Sequence, residues 1–150
     1  MSLENIINDD IKKAMLDKDS QRLNALRAVK SAILLAKTEK GGNDGLTSDA
    51  EIQILQKLVK QRRDSYDIYV SQQRQDLAEE EKLQIDVISS YLPAQLSDEE
   101  LMQAVKEVVA ELGATGPADM GKVMGIASKR LSGKAEGKRI SAAVKSLLSA

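Results

Sequence analysis

Apolar residues recur at spacings of three and four along the whole chain, and no stretch alternates with a period of two. That pattern predicts an all-α protein with no sheet. Leu3, Ile6, Ile7, Ile11, Ala14 and Met15 form one stripe over about residues 3 to 16. A second helix starts near Asp19 or Ser20 and carries Leu23, Leu26, Val29, Ile33 and Ala36 to about Lys40, with Gly41 and Gly42 as its stop. The following GGNDGLT has three glycines, but they come after a helix rather than a strand and lack the Lys-Ser/Thr pair of a phosphate loop. It reads as a plain connection. Ser48 and Glu51 have capping-box spacing and open a third helix to about Gln72; Asp76 and Glu79 have a related spacing and open a fourth that reaches Leu92. Pro93 ends it, because proline has no amide to donate and its ring clashes with the preceding turn.

Ser97 and Glu100 repeat the capping box before a stripe of Leu101, Ala104, Val105, Val108 and Leu112, and Gly113 is the expected C-terminal glycine. Two more helices follow, over about 119 to 131 and 138 to 148. The segment PAQL, 93 to 96, is the expected boundary. The chain thus divides into an N-terminal helical bundle over 1–92 and a small three-helix domain over 97–150.

The stretch GKVMGIASKRLSGKAEGKR, 121 to 139, holds four glycines and six Lys or Arg inside a helical pattern. On a wheel of about 100° per residue, Met120, Val123, Met124, Ala127 and Leu131 cluster, with Lys122 and Lys129 opposite. Gly121, Gly125 and Ser128 lie between those faces and leave a strip with almost no side chain, where another backbone can approach closely. Two occupants fit: a neighbouring helix, or a nucleic-acid backbone. Gly133 and Gly137 bracket a polar SGKAEG connection and read as helix punctuation. In the last helix Ile140, Ala143, Val144, Leu147 and Leu148 form the buried side, Lys138 and Lys145 lie opposite, and Arg139 flanks them.

Charge adds weight to this end of the chain. The formal net charge is −1. Residues 119 to 150 nevertheless hold seven Lys or Arg against two acids, a net of +5, which leaves −6 for residues 1 to 118. Lys122, Lys129, Arg130, Lys134, Lys138, Arg139 and Lys145 are therefore the candidate surface for a polyanion, although a solvated helical face gives the same count. A second basic cluster, Lys57, Lys60, Arg62 and Arg63, either extends that surface or pairs with acidic neighbours.

Composition closes off much chemistry. With 150 residues the chain can hold one domain or two small helical units. It has three Tyr, no Phe or Trp, no Cys and no His. Base-stacking platforms, thiolate nucleophiles, Cys/His zinc sites and the commonest general base are excluded. Ser48 and Ser97 read as caps. Asp98, Glu99 and Glu100, like Glu79, Glu80 and Glu81, fall in first turns, where they complement the helix dipole. No catalytic residue, metal site or cofactor is expected. The N-terminal MSLENIINDD has no basic flank or apolar core of a leader, and no run is long enough for a bilayer, so a cytoplasmic protein without membrane contact is the expectation.

DMGKVMG at 119–125 and SGKAEGKRISAAVKSLL at 132–148 resemble the C-terminal tail of the B subunit of glutamine-dependent aminoacyl-tRNA amidotransferase. LRAVKSAI at 26–33, LQKLVKQRRDS at 55–65, RQDLAEEE at 74–81 and SYLPAQLS at 90–97 resemble stand-alone YqeY-type proteins. The resemblance to the GatB/YqeY family covers nearly the whole chain. It implies a helical bundle followed by a three-helix tail, and a tail that engages tRNA. It also implies the family label of carbon-nitrogen ligase with glutamine as amido-N-donor. The ATP-using cradle belongs to a part of the B subunit with no counterpart here, and the glutaminase to another subunit. The implied role is a non-catalytic tRNA-binding or tRNA-handling accessory. The alternative is a helical adaptor that docks on a synthetase or amidotransferase subunit.

Overall fold

The computed structural model describes residues 2–39 and 45–149. These residues form seven α-helices and one 3-10 turn, and no strand occurs among them. The all-α expectation holds. The chain divides into two compact units, Met1–Leu92 and Pro93–Ala150.

The first unit contains α1 (Leu3–Leu16), α2 (Ser20–Glu39), α3 (Ser48–Ser71) and α4 (Gln75–Ser89). Helices α1 and α2 form one hairpin, α3 and α4 another, and α2 also packs against α3 and α4. Ile7, Leu26, Val29, Ile33, Leu55, Val59 and Ile88 are almost wholly buried in its core. Met15, placed on the α1 stripe by spacing, is instead 56% exposed in the helix's last turn.

Three helix ends differ from the sequence expectation. At α3 the cap is Thr47, whose hydroxyl accepts the Ala50 amide at 3.1 Å. This puts Ser48 inside the helix and Glu51 one residue too far along to reach back to the cap. Its Oε2 accepts the Leu3 amide of α1 at 3.1 Å instead, so an acid from one helix satisfies an orphan donor of another. Helix α4 starts at Gln75 with no side-chain cap, and Asp76 pairs with Arg74 at 3.0 Å. It stops at Ser89, and Ser90 to Leu92 continue as a turn toward Pro93, whose ring disfavours helical backbone in the residue before it. The stop expected at Gly41 and Gly42 lies outside the described residues.

The second unit contains α5 (Asp98–Leu112), the 3-10 turn Pro117–Asp119, α6 (Met120–Arg130) and α7 (Gly137–Leu148). The capping box of Ser97 and Glu100 forms in both directions, at 3.2 Å and 3.1 Å. Gly113 closes α5 in the left-handed region at φ 63°, where a side chain would be strained. Each helix contributes one face to a single core: Leu101, Val105 and Val108 from α5, Val123 and Ala127 from α6, and Ile140, Val144 and Leu148 from α7. The stripe frays at the end of α5, where Leu112 is 38% exposed.

Candidate nucleic-acid interface

Because Val123, Ala127 and Leu131 are buried, Lys122 and Lys129 project from the opposite side of α6 and are exposed. Seven residues apart, they share a face about 10 Å along the axis. The same logic on α7 buries Ile140, Ala143 and Val144 and exposes Lys138 and Lys145, again seven residues apart. Lys134 is exposed on the connection between the two helices.

Gly121 and Gly125 decide between the two occupants considered for their strip. A Cβ built on either meets no atom within 4 Å beyond its own helical surroundings. Neither α5 nor α7 is seated on the strip. Within the second unit it lies open beside the lysine face, and packing against a helix of that unit does not explain these glycines.

The α6–α7 connection is held in place by hydrogen bonds. Gln95 Nε2 donates to the Gly133 carbonyl at 2.7 Å, and the Leu96 amide donates to the Lys134 carbonyl at 2.8 Å. Gly133, at φ 80°, is where this connection needs a glycine. Arg139 Nη2 donates to the Leu96 carbonyl and to Asp98 Oδ1, both at 2.9 Å. Arg130 forms a fork with Glu111, at 3.1 Å and 2.7 Å. The bond from Arg130 holds the Glu111 carboxyl below its ordinary range and raises the guanidinium in turn. The seven candidates therefore sort into exposed lysines on two helix faces and the connection, and two arginines engaged by acids of α5. Those acid partners, Asp98 and Glu111, were not recognised in the sequence as partners of the basic residues.

In the first unit, Lys57 and Lys60 are exposed, whereas Arg62 donates to Gln84 Oε1 at 2.7 Å and ties α3 to α4. The unit also holds a polar knot: the Tyr91 hydroxyl donates to Asp10 Oδ2 and accepts from Arg22 Nη2 at 3.4 Å. Burial, and then the bond to Asp10, push the Tyr91 hydroxyl well above its ordinary pKa. A cleft of about 190 Å³ beside the Lys37–Glu4 ion pair is lined by Ser2, Leu3, Ile33 and Glu51 among others, smaller than the range of ligand pockets. Among the described residues no group of three acids is placed to hold a metal ion.

These features define a small all-α protein of two helical units whose second unit offers lysines on opposite sides from its core. The chain belongs to the Yqey-like protein family, whose model matches residues 4–148. Its relatives include three fungal proteins, each named altered inheritance of mitochondria protein 41, mitochondrial. That of Lachancea thermotolerans is 33% identical over 115 residues, covering 75% of this chain and 60% of the relative. That of Pyrenophora tritici-repentis is 30% identical over 129 residues, covering 84% and 69%. That of Kluyveromyces lactis is 32% identical over 115 residues, covering 75% and 61%.

The cytoplasmic expectation is overturned by these names, each of which assigns its protein to mitochondria. The physical reason is that the missing apolar core argues only against a secretory leader. Mitochondrial import uses amphipathic, Arg-rich segments that have no such core. No helix among the described residues is long and apolar enough to cross a membrane.

Proposed function

We propose that this Yqey-like protein is a non-catalytic RNA-handling accessory that holds structured tRNA by its phosphate backbone. The observation that carries the reading is the exposure of Lys122, Lys129, Lys138 and Lys145 on helix faces opposite the core, beside an open glycine strip. Phosphate contacts position a protein without reading bases, and this chain has no Phe or Trp for stacking on them. The relatives' names bring a mitochondrial setting into the proposal. The resemblance to the amidotransferase tail carries the family label of glutamine-dependent carbon-nitrogen ligase, which this reading does not assign to the chain itself. Liberating ammonia from glutamine takes an activated nucleophile and an oxyanion hole, and the chain's lack of Cys and His removes the commonest nucleophile and base.

The test is an anisotropy titration of the full chain with tRNA across a range of salt. Three to five phosphate contacts give a log-log slope of about −2 to −4. A slope near zero, or no binding at low salt, refutes the reading. One observation favours the adaptor alternative: Leu16 and Leu35 of the first unit are 83% and 61% exposed. Copurification of a synthetase or amidotransferase subunit that survives nuclease treatment, combined with a flat salt profile, would establish that alternative.

A further inference from the structure

Arg130 and Arg139 both donate to acids of α5, yet the two attachments differ in what they hold together. Arg139, with its side chain one third exposed, also donates to the Leu96 carbonyl. Leu96 in turn gives its amide to Lys134, so Arg139 belongs to the set of bonds that fixes the α6–α7 connection. Pulling its guanidinium away would uncover a backbone acceptor and loosen that connection. Arg130 is different. Its fork to Glu111 joins two side chains that are 44% and 57% exposed, at the far ends of two already formed helices. Separating them leaves Glu111 to water at little cost, since exposed ion pairs contribute little.

The geometry of the fork matters as much as its exposure. A guanidinium presents two parallel N–H donors, and carboxylate and phosphate both accept them in that arrangement. A phosphate can therefore replace the Glu111 carboxylate without loss of hydrogen bonds to Arg130. Arg130 also follows Lys129 directly, about 100° further round α6, so it borders the lysine face on the side toward α5.

We propose that Arg130 is a reserve phosphate ligand, held by Glu111 until a polyanion displaces the carboxylate, and that Arg139 is a fixed strap that stays with Asp98 and Leu96. The proposal deepens the RNA-handling reading and rests on it. Glu111 then sets the affinity of the surface: it competes with each incoming phosphate at Arg130 but has no hold on the lysines. A ligand that makes several lysine contacts displaces it, and a single small anion does not.

The experiment uses the full chain and an RNA duplex of about 16 base pairs, the span of a backbone-reading duplex module. Glu111→Gln keeps the side-chain shape and removes the competing charge. It is expected to tighten binding about two- to five-fold, the range by which such a surface pair shifts an equilibrium. The salt slope should keep its wild-type value, since the duplex displaces Glu111 and reaches Arg130 in both proteins, whereas Arg130→Gln alone should make it shallower by about 0.9, one phosphate contact. Glu99→Gln removes the same charge from the same helix and should leave the affinity near its wild-type value. Adding Arg130→Gln to Glu111→Gln should abolish the gain. Arg139→Gln should lower the thermal transition and leave the slope unchanged below it. The proposal is overturned if Glu111→Gln keeps the wild-type affinity, if Arg130→Gln keeps the wild-type slope, or if Glu99→Gln and Glu111→Gln tighten binding equally, which would be general charge relief. Wild-type chain that fails to bind the duplex overturns this proposal together with the RNA reading, whereas wild-type binding with an unresponsive Glu111→Gln removes this proposal alone.

Discussion

Replacing Gly125 by alanine should make the second unit more stable. Gly125 is the sixth of eleven residues in α6 and an added Cβ meets nothing within 4 Å. No packing penalty opposes the substitution, so the intrinsic helix preference decides its effect. Alanine exceeds glycine by about 0.8 to 1 kcal/mol in a helix interior, and for a unit of this size that gain raises the melting temperature by about 4 to 8 °C. Gly121, in the first turn of the same helix, should give less. Gly125→Leu extends the test: leucine is nearly as good a helix former as alanine, so stability should again rise, while the larger side chain now fills the strip beside Lys122 and Lys129. Thermal melts followed by circular dichroism read the first effect, and tRNA titration the second. A drop in stability on Gly125→Ala would refute the open strip and restore the packed helix. A stable Gly125→Leu with undiminished tRNA affinity would remove the strip from the RNA surface.

Among the described residues, two non-glycine residues lie in the left-handed region, Lys18 at φ 56° and Gln73 at φ 60°, each in an αα-turn; Lys18→Gly or Gln73→Gly should each stabilise by about 0.5 kcal/mol in urea melts, left-handed strain outweighing added chain entropy. Tyr91→Phe should destabilise the first unit by about 1 to 3 kcal/mol, because Asp10 and Arg22 lose their shared partner. The raised Tyr91 pKa has a definite sign: its contribution is complete below about pH 10, where the unfolded tyrosine is still protonated, and is lost as pH rises above that toward the folded value. Alkaline melts of wild type and Tyr91→Phe should therefore converge, and parallel curves would reject the assignment. A fragment of residues 93 to 150 should melt cooperatively but at lower temperature than the intact chain, given a core near the lower size limit for a domain; absence of a transition would show that the unit needs the rest of the chain.

What could be read from the sequence was what local chemistry determines. The span of α1 follows from a stripe of Leu3, Ile7 and Ala14 bounded by polar residues, and the start and end of α5 from Ser97, Glu100 and Gly113. The start of α3 shows the limit of local motifs. Thr47 and Ser48 are both good caps, and only the actual backbone turn makes Thr47 the cap and frees Glu51 for α1. The glycine strip was ambiguous because a helical wheel gives the direction of each residue but not what lies along it. The arginine pairs were invisible for another reason. Arg130 and Glu111 are 19 residues apart, and Arg139 and Asp98 are 41 apart, whereas sequence spacing reveals only pairs within one or two helical turns. The knot of Tyr91 with Asp10 and Arg22, across separations of 81 and 69 residues, was hidden in the same way.

The most direct test of the central proposal is a salt-dependent tRNA titration of Lys122→Glu, Lys129→Glu beside wild type, with Glu79→Lys, Glu80→Lys as the charge control. Both lysines are exposed on the side of α6 away from its buried residues, so the fold should persist by circular dichroism. The account predicts weaker binding to different tRNAs alike and a slope shallower by about two, one contact for each lysine. The control should keep the wild-type slope. Unchanged affinity and slope in folded Lys122→Glu, Lys129→Glu protein would contradict the account and favour the protein adaptor.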